Sequence, residues 1–262
     1  PECKTPLVRP RGEAAHYCPN DSGCPPQIKG RIEHFVTRKA MNINIGPETV
    51  EDLFNVGLVK NIADLYDLRI TDLLTLERWA EKSARNLMNS LRESKAVPFE
   101  RVLYALGIRY VGETVAKRLA SSFHSIDRLM EASFEQLVDV DEIGDRIAQS
   151  VVVYFSDAEN RQIVERLRAH GLQMEVSEEV LANRSERLKG LTFVISGTFT
   201  QHSRDEYKAM IEQHGGKNTG SVSGKTSYIL AGENMGPAKL EKAAKLGVRI
   251  IREDEFLKMI KE

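Results

Sequence analysis

The spacing of hydrophobic positions changes along the chain, and those changes divide it into segments. Between about residues 31 and 175, apolar residues recur at helical spacing: Val50, Leu53 and Phe54; Leu87 and Leu91; Val115 and Leu119; Ile147 and Val151. A recurrence every three to four residues predicts amphipathic helices. Ser and Asp between the runs supply N-caps, and Val97-Pro98 breaks the array near its middle. Beyond about residue 189 the period shortens. Leu191-Thr192-Phe193-Val194-Ile195, Ser227-Tyr228-Ile229-Leu230 and Val248-Arg249-Ile250-Ile251 predict three strands. Helices are expected from Arg204 to Gln213 (closed by Gly215-Gly216), from Lys239 to Leu246, and around Phe256, Leu257, Met259 and Ile260. Strands alternating with helices imply a small parallel α/β sheet. The polar stretch 176–188, with Ser177-Glu178-Glu179 and Asn183-Arg184-Ser185-Glu186, predicts an exposed linker.

Within the helical segment a short motif recurs four times. Its copies are Ile45-Gly46-Pro47-Glu48-Thr49-Val50, Trp79-Ala80-Glu81-Lys82-Ser83-Ala84, Val111-Gly112-Glu113-Thr114-Val115-Ala116 and Ile143-Gly144-Asp145-Arg146-Ile147-Ala148. A near-constant period of this size means stacked supersecondary units. Each copy is an apolar turn leading into a helix whose first amides have no intrahelical partner and form an anion site. Glycine at the turn admits the backbone of another molecule. The small or β-branched residue four positions on lets two helices cross closely. This is the helix-hairpin-helix pattern, which grips nucleic-acid phosphates through backbone amides. The second copy has Ala80 in place of Gly, preceded by Arg78-Trp79, and reads as a packing unit that does not touch DNA. Tyr110 and Glu142 stand where many such motifs carry a first Gly, which weighs against contact through them. Asn44, before Ile45-Gly46, suits a left-handed tight turn.

The chain has 262 residues and a net charge of −1. Acidic residues outnumber basic ones in the helical segment. A binder working by bulk charge should look basic and one working through oriented amides need not, so the charge favours neither strongly and predicts modest affinity. No apolar run is long enough for a membrane span. The Pro- and charge-rich first residues do not read as a signal peptide, and a cytoplasmic setting is expected.

Cys3, Cys18 and Cys24 all fall in the first segment, about 1–30. Clustered cysteines without a disulfide framework point to a local metal site. Tetrahedral zinc takes four N or S ligands. A C-x-x-C knuckle would need a cysteine immediately before Pro1, and His16 is too near Cys18 to ligate with it. The segment therefore reads as a truncated zinc finger with impaired metal affinity. Gly220-Ser221-Val222-Ser223-Gly224-Lys225-Thr226 imitates a phosphate loop but has three residues between its glycines where four are needed.

Residues 189–262, with Ser196-Gly197-Thr198, Gly215-Gly216 and the strand–helix order, resemble a BRCT domain, with Phe256 where many members have Trp. The order of truncated cysteine finger (1–30), four helix-hairpin-helix motifs (31–175), linker (176–188) and BRCT domain is similar to the C-terminal half of bacterial NAD-dependent DNA ligases. Leu106 to Ala116, Asp141 to Ala148 and Val194-Ile195-Ser196-Gly197-Thr198-Phe199 carry the resemblance most strongly. The resemblance implies a multidomain chain: a mainly α helix-hairpin-helix domain and a small α/β BRCT domain with a parallel sheet. It implies a grip on nicked duplex DNA, in replication and repair, at Gly46, Glu48, Thr49, Lys82, Arg109, Gly112, Glu113, Thr114, Lys117, Arg118, Gly144, Asp145 and Arg146. It also implies BRCT phosphate contacts at Ser196, Gly197 or Thr198, and Lys239, with DNA or intramolecular contacts favoured over a phosphopeptide. The family's adenylated lysine lies in a K-x-D-G motif, which this chain lacks. NAD and magnesium would be bound by an N-terminal half with adenylation and OB domains, the fragment alone being inactive and a monomer. A non-enzymatic repair or replication scaffold built from the same modules is the competing expectation. A nuclease is disfavoured because no carboxylate cluster for two-metal chemistry is evident.

Overall fold

The computed structural model describes residues 1–9, 12, 14–20, 22–76, 79–183 and 185–261. Arg78 and Arg184 lie outside the described residues. The chain forms two units, Pro1–Val176 and Ser177–Glu262. Among the described residues no helix is long and apolar enough to cross a membrane.

The first unit is helical. In order its helices are α1 (Pro25–Val36), α2 (Pro47–Asn55), α3 (Ile70–Leu73), α4 (Glu81–Ser94), α5 (Phe99–Ala105), α6 (Glu113–Phe123), α7 (Ile126–Glu131), α8 (Phe134–Val138), α9 (Asp145–Ser156) and α10 (Ala158–Ala169), with a 3-10 turn at Asp64–Asp67. The pairs α1 with α2, α3 with α4, α5 with α6 and α8 with α9 pack together, giving four hairpins. Their spacing in sequence has a packing cause. The residue four after each turn Gly or Ala, namely Val50, Ala84, Ala116 or Ala148, is at most 1% exposed. These side chains face one shared core that also holds Phe35, Leu53, Leu87, Phe99, Leu119 and Phe155. Truncating a leucine in such a core costs about 2–5 kcal/mol.

Helix α10 fastens this array. Arg166 bonds Asp64 at 2.8 Å and also Asp67, while His170 Nε2 lies 3.0 Å from Asp67 and its ring stacks on Tyr66. The Tyr66 hydroxyl meets Ser94 Oγ at 2.7 Å, and burial pushes that phenol up to about 12.

The second unit comprises α11 (Glu178–Ala182), β1 (Thr192–Ser196), α12 (Arg204–Gln213), β2 (Lys217–Thr219), β3 (Tyr228–Ala231), α13 (Pro237–Leu246), β4 (Arg249–Ile251) and α14 (Glu253–Lys261). The sheet order is β2-β1-β3-β4, all parallel. Strand β1 is buried on both faces, as a central parallel strand must be. Phe193 and Ile195 pack with Tyr207, Ile211 and Phe256, whereas Val194 packs with Val222, Ile229 and Ala243. Phe256, which stands where many BRCT domains have Trp, is fully buried and edge-on to Phe193 and Tyr207, an apolar anchor for this core.

Two local expectations differ from the structure. Strand β2 was not evident, because Lys217-Asn218-Thr219 is a polar edge strand with no apolar alternation. The stretch read as an exposed linker folds onto the second unit at its end: Leu188 is 1% exposed, and Ser185 Oγ lies 2.7 Å from His214 Nδ1. The loop that imitates a phosphate loop runs into β3 rather than into a helix, closed by Ser223 and Thr226 bonded to each other.

Candidate nucleic-acid interface

The four hairpin turns deliver helix starts of one geometry. Gly46, Ala80, Gly112 and Gly144 are the N-caps of α2, α4, α6 and α9, with φ of −96°, −94°, −81° and −88° and extended ψ. None makes a side-chain capping bond. Five other helices are capped by Ser125, Ser133, Asp157, Ser177 or Ser203 accepting from first-turn amides, whereas the starts at Cys24, Arg69, Pro98 and Gly236 also lack a side-chain cap bond. What the four hairpin starts share is an exposed Gly or Ala at the N-cap, which leaves the first amides uncapped at the surface, where the positive end of the helix dipole favours an anion. In α2 the first position is Pro47, so that site begins at the Glu48 amide.

Glycine is not needed at these caps by the fold. Their φ values are ordinary for any residue, and a Cβ built on Gly46, Gly112 or Gly144 meets nothing within 4 Å. Ala80 holds the same conformation with a Cβ in place. The left-handed positions lie two residues before Gly112 and Gly144. Tyr110 has φ 65° and Glu142 has φ 67°, and each turn is closed by Val111 N–H to Ile108 O or Ile143 N–H to Val140 O. Near the first hairpin the left-handed residue is Asn42, not Asn44: the turn closes earlier, with Asn42 N–H donating to Thr37 O, and Asn44 N–H donates to Ser90 Oγ.

The candidate side chains divide into two groups. Glu48, Lys82, Thr114, Lys117, Asp145 and Arg146 are exposed at or near the helix starts, with Thr49 half-buried. Arg109 stacks over Tyr17 at 4.3 Å and Tyr110 at 5.0 Å, its carbonyl accepting from Ser150 Oγ on α9. Glu113 pairs with Lys39 at 2.8 Å, raising the Lys39 pKa through that hydrogen bond. Both ends of that pair are exposed, so it contributes little to stability. Arg118 is held by Glu142 at 2.7 Å and Asp141 at 3.8 Å. Sequence reasoning did not find Lys39, Asp141 or Glu142 as partners, since the pairings span separate elements.

Val8 and Tyr17 exchange backbone hydrogen bonds of 2.8 and 2.9 Å, which folds the first segment into a ribbon. Cys3 Sγ lies 3.5 Å from Cys18 Sγ, and the sulfurs of Cys3, Cys18 and Cys24 all lie within 4.8 Å of one another. Thiolates on one tetrahedral zinc stand about 3.8 Å apart, given Zn–S distances of about 2.3 Å. The cluster fits three corners of such a site; His16 is exposed and outside it. Hydrogen bonding from Thr5, then from Cys18, lowers the Cys3 thiol to about 6, while burial pushes Cys24 up. Among the described residues no other His, Cys, Asp or Glu group gathers in this way. The ribbon also reaches the hairpins: Tyr17 lies under Arg109, and a Cβ on Gly12 would stand 3.9 Å from Arg146 Nη2.

In the second unit, Ser196 is buried at the end of β1. Gly197 has φ 101°, and a Cβ there would strike Glu233 O at 2.6 Å, so this glycine is required by the fold. Thr198 and Glu233 exchange backbone bonds of 2.7 Å. Lys239 Nζ, 3.4 Å from Ile195 O, and Arg204 Nη2, 2.8 Å from it, bring two cations to this strand end.

Three family models match the chain: the NAD-dependent DNA ligase C4 zinc finger domain over residues 1–25, the helix-hairpin-helix motif over 101–164, and the BRCA1 C Terminus (BRCT) domain over 183–260. The second of these covers the third and fourth hairpins. The chain is 79% identical over 260 residues to a protein named DNA ligase from Parabacteroides distasonis, covering 99% of this chain and 39% of that one. DNA ligases of Phocaeicola vulgatus and Bacteroides fragilis are 59% and 58% identical over 261 residues, again with 99% of this chain and 39% of theirs covered. The chain thus spans about two fifths of the length of the curated relatives it matches. With a ligase-type zinc finger, helix-hairpin-helix hairpins and a BRCT domain in that order, it carries the C-terminal modules of the bacterial NAD-dependent DNA ligases.

Proposed function

We propose that this chain is the DNA-gripping portion of an NAD-dependent ligase that seals nicks in duplex DNA during replication and repair. The observation that carries the reading is the set of uncapped helix starts at Gly46, Gly112 and Gly144, where glycine answers no demand of the folded chain. A phosphate approaching the backbone would make that demand. The amides of Glu48 and Thr49, Glu113 and Thr114, and Asp145 and Arg146 hold phosphate oxygens, while the acidic side chains favour the helix dipole when DNA is absent. Lys82, Lys117, Arg109 and Arg146 add charge at the rim. Ala80 leaves the second hairpin as a packing unit.

Ligation itself needs a nucleophilic lysine, NAD and magnesium, which we assign to adenylation and OB domains outside this chain. The chain alone neither adenylates itself nor joins ends. Zinc, when bound, supplies a structural cross-link: Cys3, Cys18 and Cys24 hold it together with a fourth ligand these residues do not provide. At the end of β1, Lys239, with Ser196, Gly197 and Thr198 nearby, contacts phosphate of DNA or of the protein's own assembly. The ligase-type zinc finger and the relatives' names favour this reading over a non-enzymatic scaffold. We assign the protein to the bacterial cytoplasm, where its DNA lies, as a monomer.

The test is titration of the chain with nicked and intact duplexes of equal length across a salt series. Affinity that falls with salt in proportion to the phosphates gripped is expected, and tighter binding to the nicked duplex would place nick sensing partly here. Absence of binding at low salt would overturn autonomous DNA gripping.

A further inference from the structure

Arg118 looks at first like another phosphate contact, but its surroundings say otherwise. It lies on α6, the helix that starts at Gly112, and is 28% exposed. Its Nη2 bonds Glu142 at 2.7 Å, its Nη1 lies 3.8 Å from Asp141, and its Nε is buried without a partner. Both acids belong to the turn of the fourth hairpin, two and three residues before Gly144. Glu142 has φ 67°, a conformation that L-residues adopt at a cost and glycine adopts freely. A carboxylate at this position makes sense if its side chain does something a glycine cannot. It reaches across to the third hairpin and fixes the turn.

We propose that Arg118 and Glu142 form a strut that sets the spacing and orientation of the Gly112 and Gly144 helix starts, so that both meet the phosphate backbone together. Arg118 is a positioning residue here, not a phosphate ligand. This rests on the reading of those two helix starts as phosphate sites. Two sites held rigidly bind as one bivalent unit; if the strut is released, the second contact must be ordered anew each time.

The strut and the direct-contact alternative make opposite claims about Glu142. If Arg118 touches phosphate and Glu142 competes for it, Glu142→Gln removes a repelling charge and tightens binding. If the pair is a strut, Glu142→Gln weakens binding despite making the surface less acidic.

The experiment is fluorescence-anisotropy titration of the whole chain with a nicked duplex over a salt series. The variants are Glu142→Gln, Arg118→Gln, the exchange Arg118→Glu with Glu142→Arg, and the control Gly112→Val with Gly144→Val. The strut gives about a three- to tenfold weakening for each single variant, with an unchanged salt slope because no phosphate contact is deleted. The exchange restores binding to within about twofold. Tighter binding by Glu142→Gln, or an exchange no better than Arg118→Gln, overturns the strut. If instead the glycine control binds as the parent does, it is the phosphate-site reading that fails. Melting curves on every variant confirm that the hairpin unit is folded at the assay temperature.

Discussion

Glu253 gives the second unit a stability that depends on ionisation. It begins α14 and accepts four hydrogen bonds: Thr200 N–H and Oγ1–H at 3.0 Å on one oxygen, Gln201 N–H at 3.0 Å and Tyr207 O–H at 2.6 Å on the other. Burial opposes the charge, but these donors, Tyr207 first among them, overcome it and hold the carboxyl at about 2. Because the folded value lies below the unfolded one of about 4.3, the stabilisation is complete above that pH and is lost as pH falls towards 2. The full difference corresponds to about 3 kcal/mol, and solvent screening of a partly exposed group lowers this to about 1–2 kcal/mol. Glu253→Gln presents an amide N–H2 to donors and removes the charge. In a unit of this size, that loss lowers the melting temperature by about 4–15 °C near neutral pH. Scanning calorimetry of the whole chain, resolving the transition of the second unit, measures it. The gap between parent and variant should narrow as pH falls from 4 towards 2. A gap that is absent at pH 7, or that does not change with pH, would refute the reasoning.

Other consequences are open to direct measurement. Gly197→Ala should destabilise the second unit by about 2 kcal/mol or more, because its Cβ meets Glu233 O at 2.6 Å at a left-handed φ; Gly46→Ala, with open space around it, should change the melting temperature of the first unit by no more than a few degrees. Arg166→Ala should cost that unit about 1–3 kcal/mol in urea unfolding, since it frees Asp64 and Asp67 together. Adding one cysteine immediately before Pro1 should tighten zinc binding, measured by competition with a chromogenic chelator, by at least about tenfold, and unchanged affinity would refute a four-thiolate site.

Much of the architecture was legible because it rests on periodic signals. The turn-Gly-x3-small repeat gave all four hairpins, since the residue at its end must be small or β-branched for the helices to cross. The apolar runs gave β1, β3 and β4, and the helix expected from Arg204 to Gln213 is α12. Strand β2 carried no such signal: three polar residues at a sheet edge look like loop. Side chains that act across hairpins were equally silent. Arg118 and Glu142 are 24 positions apart, and only the packed fold brings them together. The sequence also misplaced the strain. It put a left-handed tight turn at Asn44, whereas the left-handed backbone falls on Asn42 and, in the later hairpins, on Tyr110 and Glu142. That displacement is informative, because it leaves Gly112 and Gly144 without an intramolecular reason to be glycine.

The central claim is that those glycines admit phosphate to bare helix starts. The measurement that tests it most directly is nicked-duplex affinity of Gly112→Val with Gly144→Val beside the parent, with melting curves on both. Loss of hydrogen bonds to a charged phosphate at two sites, at about 1.5–3 kcal/mol each, predicts binding weakened at least about a hundredfold, with a melting temperature within a few degrees of the parent. Parent-like affinity in the folded double variant would contradict the account.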